Sequence, residues 1–368
     1  MVTTKVRSRA LTRKLASATA PQTPVAVYFA DAPFGLYQLR RWYRVLEALD
    51  AVHRVSIVTA DPFTYNVVRA ETSVAVAFAD GAAPLGEVFR ARGVRVVLYP
   101  NNNSLNFRAL RFAEPVHVFI GHGESAKESS VSRQLKAYDV TYVASTEAIE
   151  QLRSIRGFDA DASTVVIGSP WLGFLGDPPS SWHPDDRTVV LYAPTWEGDR
   201  PTMAYSSVET LGLRLVKALL GMPGIRLIYR PHPWTGRVRS ASAVADARIR
   251  AAIRTAGDGH VVDTGDYGWA LGAAQLCITD VSSVAFDARA LGKALIITVP
   301  SGDSTPPVDD GVYAGAVRLE QSNGADIPAL VELALSDDAG RGEGEATSMD
   351  GLLRAVGSLL AEPASTTL

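Results

Sequence analysis

Cysteine is almost absent. Cys277 is the single cysteine in 368 residues, which excludes a disulfide framework and thiolate metal clusters. It lies within the apolar run Leu276-Cys277-Ile278, where a thiol acts as a small buried hydrophobe rather than a nucleophile. Long hydrophobic runs are missing as well. None approaches the roughly 20 residues that a bilayer-crossing helix needs, and no signal-peptide core follows the basic start, so a cytoplasmic protein is expected. Charge of one sign is also lacking. A formal net charge of -3 gives no global field that would favour nucleic acid, so a polyanionic ligand must be held by a local patch.

The hydrophobic content, 47%, over this length suits two domains of ordinary size rather than one core. Residues 1–24 stand apart. Lys5, Arg7, Arg9, Arg13 and Lys14 are interleaved with Val6, Leu11 and Leu15, ahead of Ala/Thr/Pro-rich sequence to Pro24. One reading is a solvated, disordered segment. The other is a polybasic stretch, residues 5–14, resting on an anionic membrane surface, with each cation adding about 1 kcal/mol.

From Val25 the chain alternates between short Val/Ile-rich runs and helical patterns. Strands are expected at Val25–Ala30, Val55–Thr59, Val74–Phe78, Val94–Leu98, Val116–Ile120, Val140–Ala144 and Val165–Ile167, with helices including Leu36–Leu49 and Thr146–Arg153. Such runs imply a parallel sheet covered on both faces. Gly168–Arg187 breaks the rhythm with Pro170, Pro178, Pro179 and Pro184, which places a linker at 171–187 between a domain at 25–170 and another at 188–325. The second domain repeats the pattern, with strands at Val189–Tyr192, Ile225–Tyr229, His260–Asp263, Leu276–Thr279 and Ala294–Val299. Two helical patterns, Pro328–Leu335 and Met349–Leu360, fill residues 326–368; they could pack back across the space between the domains. The fold class is therefore α/β, two Rossmann-like parallel-sheet domains facing a cleft, with ligands beyond the carboxyl ends of the strands.

Four loops at such ends carry chemistry. In Ile278-Thr279-Asp280-Val281-Ser282-Ser283-Val284-Ala285-Phe286-Asp287, an apolar strand runs directly into a helix start. First-turn N–H groups lack intrahelical partners, the dipole is positive there, and two serines add hydroxyls, so phosphate is the expected guest. Ser282 also suits a plain N-cap, and Asp287 a structural hydrogen-bond acceptor. Arg230-Pro231-His232-Pro233 ends another strand, and its prolines should hold His232 in a fixed direction. Arg230 could meet a phosphate or pair with Asp263 or Asp266. In Gly121-His122-Gly123, flanking glycines leave an imidazole unshielded and suited to accept a hydroxyl proton near neutral pH. Lys127 could meet a phosphate close by. Tyr192-Ala193-Pro194-Thr195-Trp196 completes the set: Thr195 could bind phosphate or ribose, and Trp196 could stack on a base or pack in the core.

In this order the loops resemble the CDP-glycerol glycerophosphotransferase family of teichoic acid polymerases and primases. That family carries His-Gly-x-x-x-Lys, Tyr-Ala-Pro-Thr, Arg-x-His-Pro and Thr-Asp-Tyr-Ser-Ser-x-x-Phe-Asp. Here these are His122-Gly123 with Lys127, Tyr192 to Thr195, Arg230 to Pro233, and Thr279 to Ser283 with Phe286-Asp287. The resemblance implies a GT-B architecture, with the nucleotide diphosphate held mainly by the C-terminal domain. It implies transfer of glycerol phosphate, or a related alditol phosphate, from a CDP-alditol to a lipid-linked or polymeric hydroxyl, with release of CMP, at the inner face of the membrane. It makes His122 the general base. It gives His232 a catalytic role in contact with the diphosphate, beside Arg230, and phosphate binding to Ser282 and Ser283; the loops themselves add Gly123, Lys127, Thr195, Trp196, Asp280 and Asp287 as expected substrate- and phosphate-binding residues. No Asp-x-Asp or clustered His/Asp set argues for an obligatory metal; Mg²⁺ needs few protein ligands and could arrive with the substrate. The chain departs from the family where Glu124-Ser125 replaces Thr-Pro, Val281 replaces Tyr, and Trp196 stands at a position often Arg or Lys. An altered rim leaves two rivals open, a GT-B glycosyltransferase using a UDP- or GDP-sugar and a non-catalytic nucleotide- or polymer-binding scaffold.

Overall fold

The computed structural model describes residues 21–123, 132–200, 204–265, 268–299, 313, 315–321, 326–337 and 348–362. The polybasic residues 5–14 and Glu124, Ser125, Lys127 and Asp266 lie outside them. By its contacts the chain divides into two compact units, one ending its first part near Gly173 and regaining the chain from Ser348, the other taking Phe174–Thr347.

Unit 1 is built on seven strands: β1 (Val25–Phe29), β2 (Val55–Thr59), β3 (Ala75–Phe78), β4 (Val96–Tyr99), β5 (Val116–Phe119), β6 (Val140–Val143) and β7 (Thr164–Val166). Their order is β3-β2-β1-β4-β5-β6-β7, and every pairing is parallel. All residues of β1, β2 and β4 are buried, which is why these strands read as unbroken apolar runs rather than alternating ones. The order reverses between β1 and β4, so the loops after β1, β4 and β5 gather at one switch point.

The helices obey local rules. Helix α1 (Tyr43–His53) follows a separate short helical turn at Leu36–Arg40, so the single helix expected over 36–49 is interrupted at Arg41–Trp42. The interruption lets Trp42 bury completely and send its indole N–H to the Gly121 carbonyl at 2.7 Å. Helix α2 (Pro62–Glu71) starts with Asp61 accepting from the N–H groups of Phe63 and Thr64 and with proline in its first turn, the capping arrangement its sequence favours. Helices α3 (Ala82–Arg92) and α4 (Thr146–Leu152) complete the principal helices before the crossover to unit 2.

Unit 2 has six strands: β8 (Thr188–Ala193), β9 (Ile225–Tyr229), β10 (Val261–Val262), β11 (Leu276–Thr279), β12 (Ala294–Val299) and β13 (Val317–Glu320). Their order is β10-β9-β8-β11-β12-β13, again parallel throughout, with the switch point between β8 and β11. Helix α5 (Leu213–Leu220) buries Leu215, Val216 and Leu219 against this sheet, each worth about 1.5–3 kcal/mol. Helices α6 (Ser240–Ala256), α7 (Ser283–Ala290) and α8 (Ile327–Ser336) complete the layers. Cys277 is fully buried on β11 and burial pushes its thiol pKa up, as an inert core thiol requires.

The stretch expected as a linker is docked at both ends. Trp171 packs on Trp42 at 5.2 Å between ring centroids within unit 1. Trp182 packs on Trp269 at 5.3 Å and lies under the Arg226 guanidinium at 3.5 Å within unit 2. The last helix, α9 (Asp350–Ala361), belongs to unit 1. Arg95 donates to the Leu360 carbonyl at 2.6 Å, His53 Nε2 lies 3.3 Å from the Leu353 carbonyl, and a Cβ on Gly351 would fall 2.5 Å from the Ile167 oxygen. Among the described residues no helix is long and apolar enough to cross a membrane.

Candidate functional site

The site residues fall on both units, and each set is built by the ends of parallel strands. In unit 1, β5 delivers Gly121-His122-Gly123. Gly121 has φ 58° and Gly123 φ 130°, conformations that a side chain would strain, so the glycines expected to expose the imidazole are also what makes the turn possible. The ring is oriented through both nitrogens. His122 Nδ1 lies 3.2 Å from the Pro100 carbonyl, which can only accept, so the neutral ring carries its proton on Nδ1 and presents Nε2 as an acceptor. Gln38 Nε2 approaches that atom at 3.5 Å, and the Tyr37 ring stands edge-on to the imidazole at 5.9 Å. Burial pushes the Tyr37 hydroxyl up to about 12, so it stays protonated near neutral pH. Neither Tyr37 nor Gln38 carries a sequence signature; they come from a helical turn remote in the chain and only the fold brings them to His122.

In unit 2, Thr195, Arg230, Asp263 and Asp280 stand at the carboxyl ends of β8, β9, β10 and β11. Asp280 is fully buried and organises this edge. Its carboxylate accepts from Thr195 N at 2.7 Å, from Ser207 N at 3.2 Å and from the Thr298 hydroxyl. Burial raises its pKa, against the lowering effect of hydrogen bonds from Ser207, Thr298 and Thr195. Asp280 thus fixes the backbone at Thr195 from beneath.

Ser282 is the N-cap of α7: its Oγ accepts from Val284 N at 3.3 Å and meets the Thr279 hydroxyl at 3.0 Å. That hydroxyl in turn donates to the Ala193 carbonyl at 2.7 Å. The Ser282 hydroxyl therefore ties the helix start to β8 and β11, and the half-buried Ser283 leads the first turn. Asp287 lies one turn further on and is buried.

Arg230 forms an ion pair with Asp263 and donates to the Gly265 carbonyl at 2.9 Å. Asp263 also accepts from Gly265 N at 3.0 Å and Trp269 Nε1 at 3.2 Å. The structural partner considered for Arg230 is thus Asp263. His232 Nδ1 accepts from Trp234 N at 3.1 Å, so the neutral ring holds its proton on Nε2 and acts there as a donor. In their neutral forms the two histidines are set in opposite senses, His122 with Nε2 as an acceptor and His232 with Nε2 as a donor.

Glu197, which carries no signature in the sequence, holds the segment that follows this turn, residues 236–239. It is buried and accepts from Gly236 N at 3.0 Å, Val238 N at 2.9 Å and Arg239 N at 3.1 Å. Burial alone would raise its pKa; hydrogen bonds from its own N–H and those three amides outweigh burial and lower it. Trp196, half-buried, stacks on His232 at 6.4 Å and meets Trp234 edge-on at 5.0 Å. The signal available in the sequence was a single acid directly after a strand-end tryptophan, too common a pattern to single out.

The sequence from residue 119 to 304 matches the model of the CDP-glycerol:poly(glycerophosphate) glycerophosphotransferase family, a span holding all four loops and half of the chain. No protein of curated function matches it. Among solved structures, the UDP-GlcNAc 2-epimerase from Neisseria meningitidis bound to UDP-GlcNAc is 15% identical with a TM-score of 0.63, covering 92% of this chain and 100% of that one. The wall teichoic acid polymerase TagF is 13% identical with a TM-score of 0.56, covering 97% and 93%. A glycosyltransferase from Rickettsia africae is 13% identical with a TM-score of 0.51, covering 93% and 100%. At these identities the likeness shows the fold, a GT-B-like pair of Rossmann-like domains. The family match goes further, and with the loops it spans it identifies this chain as a member of the CDP-glycerol:poly(glycerophosphate) glycerophosphotransferase family of enzymes.

Proposed function

We propose that the protein transfers glycerol phosphate, or a related alditol phosphate, from a CDP-alditol to a hydroxyl of a lipid-linked or polymeric acceptor, releasing CMP. The observation that carries this reading is the family match over 119–304, which takes in both oppositely set histidines and the strand ends at Thr195, Arg230 and Asp280. In the reaction, the acceptor hydroxyl gives its proton to His122 Nε2 as its oxygen bonds to the phosphorus bearing the glycerol. The bond from that phosphorus to the bridging oxygen breaks, and CMP departs with the electron pair. Such a displacement depends on alignment and on stabilising charge at the nonbridging oxygens.

Unit 2 supplies that stabilisation. His232 Nε2–H, Arg230 held by Asp263, the Thr195 segment held by Asp280, and the first turn of α7 led by Ser283 bind the diphosphate. Trp196 lies against His232 and offers a face to the base. The acceptor's place at a membrane would give the basic residues 5–14 a use, as a peripheral contact with the anionic inner leaflet.

A donor screen tests the reading: CDP-glycerol, CDP-ribitol, UDP-sugars and GDP-sugars are offered with a polyol phosphate acceptor, and the nucleotide released is identified. CMP from a CDP-alditol is expected. UDP or GDP release would show a glycosyltransferase, and binding of nucleotide with no turnover on any acceptor would show a scaffold.

A further inference from the structure

The edge of the sheet in unit 1 holds more than His122. Asp31 follows β1, Asn101 and Asn103 follow β4, and Gln38 lies on the turn between β1 and α1, so the topology gathers them at the switch point. Asn101 Nδ2 donates both to Asp31 Oδ2 at 2.5 Å and to Gln38 Oε1 at 2.8 Å. Asn103 Nδ2 donates to the other Asp31 oxygen, and the Thr64 hydroxyl ties the Asp31 carbonyl at 2.7 Å. With its oxygen taken by Asn101, the Gln38 amide must turn its NH₂ outward. That group lies 3.4 Å from the Tyr37 hydroxyl and 3.5 Å from His122 Nε2.

We propose that Asp31, Gln38 and Asn101 form an acceptor subsite for the terminal vicinal diol of a polyol chain, with Gln38 fixing the attacking hydroxyl at His122 Nε2 and Asp31 accepting from its neighbour. The assignment rests on the reading of His122 as the base, and it deepens that reading by naming what the base is offered. An amide donor beside an imidazole acceptor, at the outer limit of hydrogen-bond length, is a pair that one hydroxyl satisfies at once: it accepts from Gln38 and donates to His122. A carboxylate or phosphate, acceptors only, would satisfy one half and face an unprotonated ring nitrogen with the other. Each Asp31 oxygen receives one amide hydrogen and keeps lone pairs for another donor. Its charge also opposes a phosphate group here, so the polyol end of the acceptor, not its phosphate, is selected. Asn101, 3% exposed, touches no substrate in this scheme; it positions Asp31 and Gln38 together.

The test uses the purified full-length chain, CDP-glycerol, and two acceptors, one ending in glycerol phosphate and one ending in 1,3-propanediol phosphate, which lacks the neighbouring hydroxyl. Wild-type protein should favour the diol by about tenfold or more in kcat/KM. Asp31→Ala should erase that preference. Gln38→Ala should raise the KM for both acceptors and lower kcat by about tenfold, with the KM for CDP-glycerol unchanged. Gln38 is half-buried, so its variant should fold even if Asp31→Ala does not. Acceptor binding without donor, followed by calorimetry, reads the subsite independently of the reaction. Weaker binding of both acceptors to Gln38→Ala supports the subsite even if CMP is never released, which would count against the proposed reaction alone. CMP release that depends on His122, with acceptor KM unchanged in Gln38→Ala and the diol preference unchanged in folded Asp31→Ala, would overturn the subsite alone.

Discussion

His122 and His232 are both clamped by backbone groups, but through partners of opposite kind, a carbonyl at one and an N–H at the other. This difference, more than the presence of two imidazoles, supports the roles proposed for them. His122→Ala should lower kcat by about 10²- to 10⁴-fold while leaving the thermal shift caused by CDP-glycerol intact, because donor binding is assigned to unit 2. His232→Ala removes one donor to the diphosphate and should lower kcat by about 10²-fold, with a weaker donor-induced shift than wild type. Both histidines were legible in the sequence because glycines and prolines beside them announce unusual turns. Gln38, Asp31 and Asn101 were not, since their meaning arises only when three strand ends separated by tens of residues meet at one edge. Arg230 shows a middle case: the sequence offered Asp263 as one of two carboxylate partners, and the structure pairs it with Asp263.

The segment that follows the Arg-Pro-His-Pro turn is held by Glu197, whose carboxylate accepts from the backbone amides of Gly236, Val238 and Arg239. Glu197→Gln keeps the shape but exchanges the charge-assisted bonds for weaker ones. It should cost about 1–3 kcal/mol, seen in chemical denaturation, and should raise the KM for the donor and speed amide exchange over 234–239. Because the native pKa of Glu197 is lowered, its contribution is present above the usual glutamate range and is lost as pH falls through the lowered value. The element map shows the same division between local and tertiary causes. The strands from Val55, Ile225, Leu276 and Ala294 begin where the Val/Ile runs place them, because central parallel strands have no solvent face to interrupt their pattern. Edge strand β13 went unread: Val317-Arg318-Leu319-Glu320 alternates over four residues and buries only Leu319 of the four. The interruption at Arg41–Trp42 has a tertiary cause too, the burial of Trp42 against Gly121 and Trp171.

Across the molecule, each unit carries a histidine whose pKa is lowered, His117 buried and His260 half-buried. His117 bridges Tyr99 at 2.7 Å and the Phe112 carbonyl at 2.7 Å, and burial lowers its pKa against the raising effects of Phe112 and Asp139. His260 accepts from Leu227 N at 3.0 Å, with its pKa lowered first by burial and then by Arg187. Below about pH 6.5 the unfolded chain takes up protons that these native sites refuse, so stability should fall as pH drops through that value. For His117 the slope approaches about 1.4 kcal/mol per pH unit; urea denaturation from pH 7.5 to 5.5 should show it, and His117→Gln should flatten it. The two-sheet plan was legible from the alternation of apolar runs and helical patterns. That α9 joins unit 1 rests on Arg95, His53 and the space at Gly351, contacts too distant in sequence for any periodicity to reveal. The most direct test of the whole account is CMP release from CDP-glycerol with a glycerol phosphate acceptor, compared between wild type and folded His122→Ala. The account predicts CMP in step with glycerol phosphate incorporation in the wild type, and near-complete loss in the variant while donor binding persists. Undiminished CMP release by His122→Ala would contradict it.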